Sequence, residues 1–128
     1  MNWKKHIKQI AKELNIEIEI IKKCHSRLPN QTAGLITPYK AFVYGWNKRD
    51  QRSYYCALHE LGHIHYGHHK ELTTLNNNHD LLIEAEKLAW KYSIEKALEE
   101  PEYITVLEIF WGLKSYGAET EDVIEVLK

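Results

Sequence analysis

Apolar residues recur every three or four positions near the start of the chain, with lysines between them. They are Trp3, Ile7, Ile10, Ala11 and Leu14. This spacing predicts an amphipathic first helix over residues 3–14. The period then changes to two in "NIEIEII", residues 15–21, where isoleucines alternate with glutamates. Alternation of this kind predicts a half-buried strand.

Two further short strands are predicted after turn signals. The segments "LPNQ" and "TPYK" contain the residues that favour turns, and they precede "AGLIT" at 33–37 and "AFVYGW" at 41–46. Both segments have the length and the apolar content of short strands. The sequence therefore predicts a small three-stranded sheet that follows the first helix.

The second half of the chain has a helical pattern throughout. Residues 53–66 are apolar on almost every side, which predicts a buried helix that ends at Gly67. A polar loop leads to a helix near residues 80–99, with Asn78 or Asp80 as its N-cap. Pro101 is expected in the first turn of a fourth helix that ends near Leu113, and Thr120 is expected to cap a short last helix.

The order of these elements predicts one α+β domain over residues 1–128. It has an N-terminal helix and the small sheet, and then helices. At 128 residues the chain is long enough for a single core that buries about two-thirds of the unfolded surface.

Composition and charge narrow the function classes. The chain is 44% hydrophobic and 27% charged, with a formal net charge of -1, which is typical of a soluble globular protein. Because this net charge creates no overall field for a polyanion, we expect no direct nucleic-acid partner. The lysines at 4, 5, 8 and 12 are interpreted as a solvated helix face.

The cellular location is predicted from segments that the sequence lacks. No secretory leader is recognisable at the N-terminus, and no apolar run reaches the length of a membrane span. We therefore expect a cytoplasmic protein with no membrane partner. The two cysteines, Cys24 and Cys56, are too few for a disulfide framework and fit reduced thiols.

The stretch "CALHELGHIHYGHH" contains the H-E-x-x-H motif in His59, Glu60 and His63. Residues four apart on a helix have Cβ atoms about 6 Å apart, so both imidazoles can reach one metal ion. Zn²⁺ is the metal that this spacing suits. Glu60 lies to the side, where it can take a proton from an attacking water and return it to the leaving amine.

A catalytic zinc site needs a third protein ligand. His69 has the spacing of the third metzincin histidine, but Tyr66 stands where that pattern has Gly, and the only methionine is Met1. Cys56 lies one turn before His59, and a small core thiol is the simpler interpretation. Cys24 would give a two-His-one-Cys site of the deformylase type, although its flanking residues do not resemble that family.

Glu86 is the favoured third ligand on the basis of a helical wheel. On the predicted helix 80–99, the charged residues Glu84, Lys87, Lys91 and Glu95 share an arc of about 80°, which is interpreted as the solvated face. Glu86 lies opposite, among apolar and small residues, where a carboxylate needs a partner. The small residues Gly62, Ala89 and Ser93 would allow the two helices to approach closely. A purely structural Glu86, paired to Lys, Arg or Tyr, remains the alternative.

The remaining histidines of this stretch are not expected to bind the metal. His65 is about 200° from His63 on the helix and so faces away. His68 and His69 follow Gly67, and a solvated loop is expected for both.

The chain resembles the ImmA/IrrE family of zinc metallopeptidases. The resemblance rests on "YYCALHELGHIHYGH" and on "EKLAWKYSIEKAL", which is similar to the family's E-x-x-A-x-x-(F/Y)-A helix with Glu86 as its first residue. It implies a zincin-like minimal metallopeptidase fold, a Zn²⁺ cofactor and Glu86 as the third ligand. Trp90 stands where the family more commonly has Asp or Asn, Ser93 replaces the usual Ala, and the family's frequent Pro after this helix is delayed to Pro101.

The resemblance also implies a function. It predicts a zinc-dependent endopeptidase that makes limited cuts in a partner protein, such as an Xre/cI-like helix-turn-helix repressor of a phage or mobile element. A non-cleaving, zinc-stabilised binding module that sequesters a repressor or other partner is the alternative, and a zinc hydrolase of small amides is a third. Tyr66, Tyr92 and His65 are all candidates to stabilise the oxyanion. The sequence does not distinguish among them.

Overall fold

The computed structural model describes residues 2–24, 33–36 and 40–128. Within them the elements follow the order α1 (Trp3–Glu13), β1 (Glu17–Ile21), β2 (Ala33–Ile36), β3 (Lys40–Tyr44), α2 (Gln51–His65), a 3₁₀ turn (His68–Lys70), α3 (Leu72–Asn76), α4 (His79–Lys96), α5 (Tyr103–Ser115) and α6 (Thr120–Leu127). The predicted mixed α+β class is confirmed, and the fold is mostly helical. No helix in the described ranges combines the length and apolar character needed to cross a bilayer.

Helix α1 forms as its pattern predicts. The Asn2 side chain accepts a hydrogen bond from the backbone N–H of Lys5, which caps the first turn. The helix buries Ile7, Ile10 and Ala11 against the core. Asn15, with a φ of 56°, reverses the chain after the helix and directs it into β1.

The sheet has the strand order β1-β3-β2. Strand β1 pairs in parallel with β3, so that Ile18 is opposite Ala41 and Ile20 is opposite Val43. Strand β2 pairs antiparallel with β3. Ala41 and Val43 are buried on the central strand, and both β2 and β3 lie against α2. The predicted turns "LPNQ" and "TPYK" fall mostly outside the described residues.

Helices α2 and α4 are the most closely associated pair in the fold. Gly62 makes this possible, because a Cβ at that position would lie 2.8 Å from the carbonyl oxygen of Ala89 and 3.1 Å from Cβ of Tyr92. The hydroxyl of Ser93 donates to the carbonyl oxygen of Tyr55 at 2.7 Å. The predicted close approach through small residues is confirmed.

Gln51 fixes the start of α2 to the connection between α4 and α5. Its side-chain amide donates to the carbonyl oxygen of Glu100, and its Oε1 accepts from the backbone N–H of Glu102 and from the hydroxyl of Thr105. The prediction that Pro101 lies in the first turn of the next helix is wrong. Glu102, whose backbone is extended with a ψ of 164°, is the N-cap, and α5 begins at Tyr103.

Helix α6 differs from the sequence prediction in its cap, and it buries a lysine that was predicted to be exposed. Thr120 is the first residue of α6 and not its cap, because Glu119 and Asp122 form a capping box. Lys87, predicted on a solvated face, is only 7% exposed. Helix α6 covers it, and its Nζ lies 3.1 Å from Asp122 Oδ1 and 2.7 Å from Glu125 Oε2.

Candidate metal centre

Three predicted ligands meet between α2 and α4. His59 and His63 are one turn apart on α2, and their ring centroids are 4.6 Å apart. Glu86 reaches them from α4, where its Oε2 lies 3.2 Å from His59 Nε2 and 2.5 Å from His63 Nε2. One donor atom from each residue lies within 4.8 Å of the other two, so this group could hold a metal ion.

The donor set fits zinc in both chemistry and spacing. Two imidazole nitrogens and one carboxylate oxygen form a common set for a catalytic zinc, which leaves one position open. Ligands at about 2.1 Å in a tetrahedral arrangement are about 3.4 Å from one another. The 3.2 Å distance from His59 Nε2 to Glu86 Oε2 is close to this value, and the 2.5 Å distance from His63 Nε2 is shorter. Small side-chain movements would therefore make room for the ion.

The site is buried and electrostatically coupled. Glu86 is 2% exposed. Burial opposes its ionisation, but the neighbouring imidazoles of His59 and His63 lower the pKa of Glu86 below its usual range. Burial also opposes a charged His59, and the carboxylates of Glu86 and Glu60 outweigh it and raise the pKa of His59 to about 10. The site therefore favours a cation, and without a metal that cation is the protonated imidazole.

Trp90 forms one wall of the site. Its indole stacks on the ring of His59, with a centroid distance of 4.1 Å and an interplanar angle of 17°. Trp90 is 4% exposed and packs against α5 at Gly112, where a Cβ would make ordinary contact with the ring at 3.4 Å. Trp90, one of the departures from the resembled family pattern, thus lies directly against the predicted ligand His59.

His68 belongs to the site, contrary to the expected solvated loop. It is 8% exposed, and its Nδ1 lies 2.9 Å from His63 Nδ1. Gly67 has a φ of 76°, in the left-handed region that glycine favours, and it turns the chain after α2 so that His68 returns to the site. Burial, together with the nearby His63, lowers the pKa of His68. A neutral His68 can accept a hydrogen bond from His63.

Glu60 is beside the ligand group and is not part of it. Its Oε1 lies 3.4 Å from His59 Nδ1, the ring nitrogen that does not contact Glu86. Its side chain is 15% exposed, so solvent reaches the carboxylate. Glu60 can therefore exchange protons with a bound molecule or support the orientation of His59.

Tyr116, at the end of α5, is a residue that the sequence did not indicate. The carboxylate of Glu86, burial and the carboxylate of Glu60 raise the pKa of Tyr116, in that order of importance. Tyr116 is 41% exposed, and it lies within the electrostatic reach of both carboxylates. Tyr116 is 30 positions after Glu86, and the one sequence signal near it is the following Gly117. That glycine has a φ of 88° and ends α5 in a turn.

The other candidates are not in the ligand group found among the described residues. Cys56 is half-buried, with Sγ 3.9 Å from Glu108 Oε1, and burial raises its pKa. Cys24 is exposed, and both cysteines are free. His65 is exposed and contacts Tyr66 and Tyr92. The side chain of His69 is outside the described part of the structure.

Comparison of this chain with family models, with curated proteins and with solved structures finds no match.

Proposed function

We propose that this protein is a zinc-dependent metallo-endopeptidase with a zincin-like minimal fold, related to the ImmA/IrrE peptidases. The observation that carries the proposal is the convergence of His59, His63 and Glu86 on one point, with Glu60 beside them. Three ligands and an adjacent carboxylate are the components of a hydrolytic zinc site.

Each residue has a role that follows from its position. His59, His63 and Glu86 would hold the zinc. When bound, zinc supplies Lewis acidity, which polarises a carbonyl and makes water acidic. Glu60, partly open to solvent, accepts the proton of the attacking water and delivers it to the leaving amine. The ligands lie on α2 and α4, which pack closely at Gly62.

Tyr116 is the proposed donor to the oxygen that becomes negative during peptide hydrolysis. The carboxylates of Glu86 and Glu60 raise the pKa of Tyr116, so the hydroxyl stays protonated and lies in the electrostatic surroundings of the proposed ligand group. A neutral hydroxyl that donates to a developing oxyanion is a common form of electrostatic catalysis. Tyr66, Tyr92 and His65 pack against one another, with Tyr66 stacked on His68, and are weaker candidates.

The proposed substrate is a cytoplasmic partner protein that receives a limited cut. The resemblance to ImmA/IrrE peptidases suggests an Xre/cI-like helix-turn-helix repressor of a phage or mobile element. This part of the proposal is based on analogy of motif and not on a feature of the site.

Two measurements test the proposal. Elemental mass spectrometry of the purified protein should find about one zinc per chain. The variant Glu60→Gln should keep its zinc and lose cleavage of a co-expressed Xre/cI-like repressor, measured on a gel. Glu95→Gln, on the exposed surface of α4, is the matched control. A zinc-free protein after incubation with zinc, or a Glu60→Gln variant that cleaves at the wild-type rate, would reject the mechanism.

A second function, a zinc-stabilised binding module, is favoured by one contact. Glu60 lies against His59 Nδ1, which is where a carboxylate orients a metal-bound histidine. In this case the protein would sequester the repressor without cutting it. Relief of repression by Glu60→Gln with intact repressor on the gel would select this function.

A further inference from the structure

The net charge of -1 conceals a strongly uneven distribution. Residues 1–50 contain ten Lys and Arg against four Asp and Glu, a net charge of +6. Residues 51–128 contain seven against fourteen, a net charge of -7. The proposed metal centre belongs to the acidic part, so the basic part is not explained by it.

A line of lysines follows the outer surface of α1. Lys4, Lys8 and Lys12 are all exposed, and each is four residues from the next. At 1.5 Å per residue this gives charges about 6 Å apart along the helix, turned by only about 40° at each step. Lys5 is exposed beside the same line. The arrangement is a row of positive charges along one side of the helix.

A cleft of about 1040 Å³ continues this row at the start of α1. Three lysines line it, Lys4, Lys22 and Lys48, and the described residues around it include no carboxylate. Within the described ranges, none of the three forms an ion pair, whereas Lys40, Lys87 and Lys91 do. The positive charge of the cleft is therefore not neutralised by the fold.

We propose that this face, made of the α1 lysine row and the adjoining cleft, binds the phosphate backbone of duplex DNA. Cations about 6 Å apart can each face roughly every second phosphate of a strand, because phosphates follow one another every 3.4 Å along the duplex axis. The inference departs from the expectation based on net charge, because only the local distribution acts on a polyanion at close range. It does not depend on the proposed peptidase function, because the face and the metal centre share no residue.

Duplex DNA fits this face better than a membrane or a single strand does. A helix that lies in a membrane surface needs an exposed apolar side, and the apolar side of α1 is in the core through Ile7, Ile10 and Ala11. Single strands are held by stacking of bases on aromatic rings. Trp46 is buried and Trp3 already stacks on Tyr54 at 5.4 Å, so the cleft favours phosphates over bases.

The test uses the full chain and a fluorescein-labelled duplex of arbitrary sequence, followed by fluorescence anisotropy. Wild type should bind with micromolar affinity at about 50 mM salt and should lose about 50-fold at about 200 mM, as expected for roughly three phosphate contacts. The triple variant Lys4→Glu, Lys8→Glu and Lys48→Glu should bind at least tenfold more weakly.

The matched control reverses three exposed charges elsewhere, in Lys70→Glu, Lys96→Glu and Lys128→Glu, and changes the net charge equally. It should retain DNA affinity to within about threefold if the local face does the binding. Equal loss in both triple variants, with thermal melting showing both folded, would overturn the proposal. Absence of wild-type binding at low salt would also overturn it, as would capture by phosphatidylserine vesicles without binding to DNA.

Discussion

His68 Nδ1 lies 2.9 Å from His63 Nδ1, on the ring nitrogen of His63 that does not face Glu86. Each nitrogen of His63 therefore has a separate partner, one toward the proposed zinc ligands and one toward His68. A second hydrogen bond of this kind fixes the tautomer and the orientation of a metal-binding imidazole.

Replacement of His68 should weaken zinc binding without removing a ligand. We expect His68→Ala to lower zinc affinity about 10- to 100-fold, measured by competition with a chromophoric chelator. His68→Gln should restore part of the affinity, because an amide oxygen can accept from His63. His65→Ala, on the exposed side of α2, is the control. An unchanged affinity in His68→Ala would mean that the contact does not support His63.

Replacement of the Tyr116 hydroxyl should affect turnover and not metal content. We expect Tyr116→Phe to keep about one zinc and to reduce the rate of repressor cleavage about 10²-fold, since one oxyanion donor is lost. Tyr103→Phe, whose ring is 79% exposed on the same helix, should behave as wild type. A Tyr116→Phe variant with full activity would exclude this tyrosine from catalysis.

Replacement by alanine should change the free energy of unfolding differently at Gly62, which faces the α4 backbone, and at Gly112, which faces the Trp90 ring. Gly62→Ala places a methyl group 2.8 Å from a backbone oxygen that cannot move independently, and we expect it to destabilise the fold by about 1–3 kcal/mol. Gly112→Ala meets only the edge of Trp90 at 3.4 Å and should be neutral or stabilising by up to about 1 kcal/mol. Urea denaturation measures both, and equal effects would contradict the close approach of α2 and α4.

The pH dependence of stability should change with metal. In the metal-free protein the pKa of His59 is raised from 6.5 to about 10. Its contribution to stability is therefore complete below 6.5 and is lost as the pH rises toward 10. The pKa of Glu86 is lowered, so its contribution is present above its usual value of 4.5 and is lost in acid. Together, His59 and Glu86 stabilise the folded state most between about pH 4.5 and pH 6.5.

Zinc must displace the proton from His59, so the increase in Tm that it produces should grow with pH over the range in which metal-free stability falls. Thermal melting with and without zinc, from about pH 6 to pH 9, measures both trends. In His59→Gln, the fall of metal-free stability with pH and the growth of the zinc effect with pH should both be weaker. A zinc effect that does not change with pH would show that His59 is not a ligand.

The sequence predicted the parts of the site that depend on local geometry. The H-E-x-x-H spacing placed His59 and His63 on one side of α2, and the helical wheel placed Glu86 on the buried side of α4. It did not predict His68, Tyr116 or the burial of Lys87. Lys87 and Tyr116 depend on how α5 and α6 pack back on α4, and His68 depends on the turn at Gly67 that returns it to His63 of α2. No local period records either.

The carboxyl-terminal segment also has a consequence for the order of events in folding. Lys87 is adjacent to Glu86 on α4, and its charge is neutralised by Asp122 and Glu125 of α6. Until those residues have left the ribosome, Lys87 stays in solvent and the side of α4 that carries it is uncovered. A nascent chain that already contains all three predicted ligands therefore still lacks the cover that holds α4 in place, so metal capture is expected to be a late step of biosynthesis.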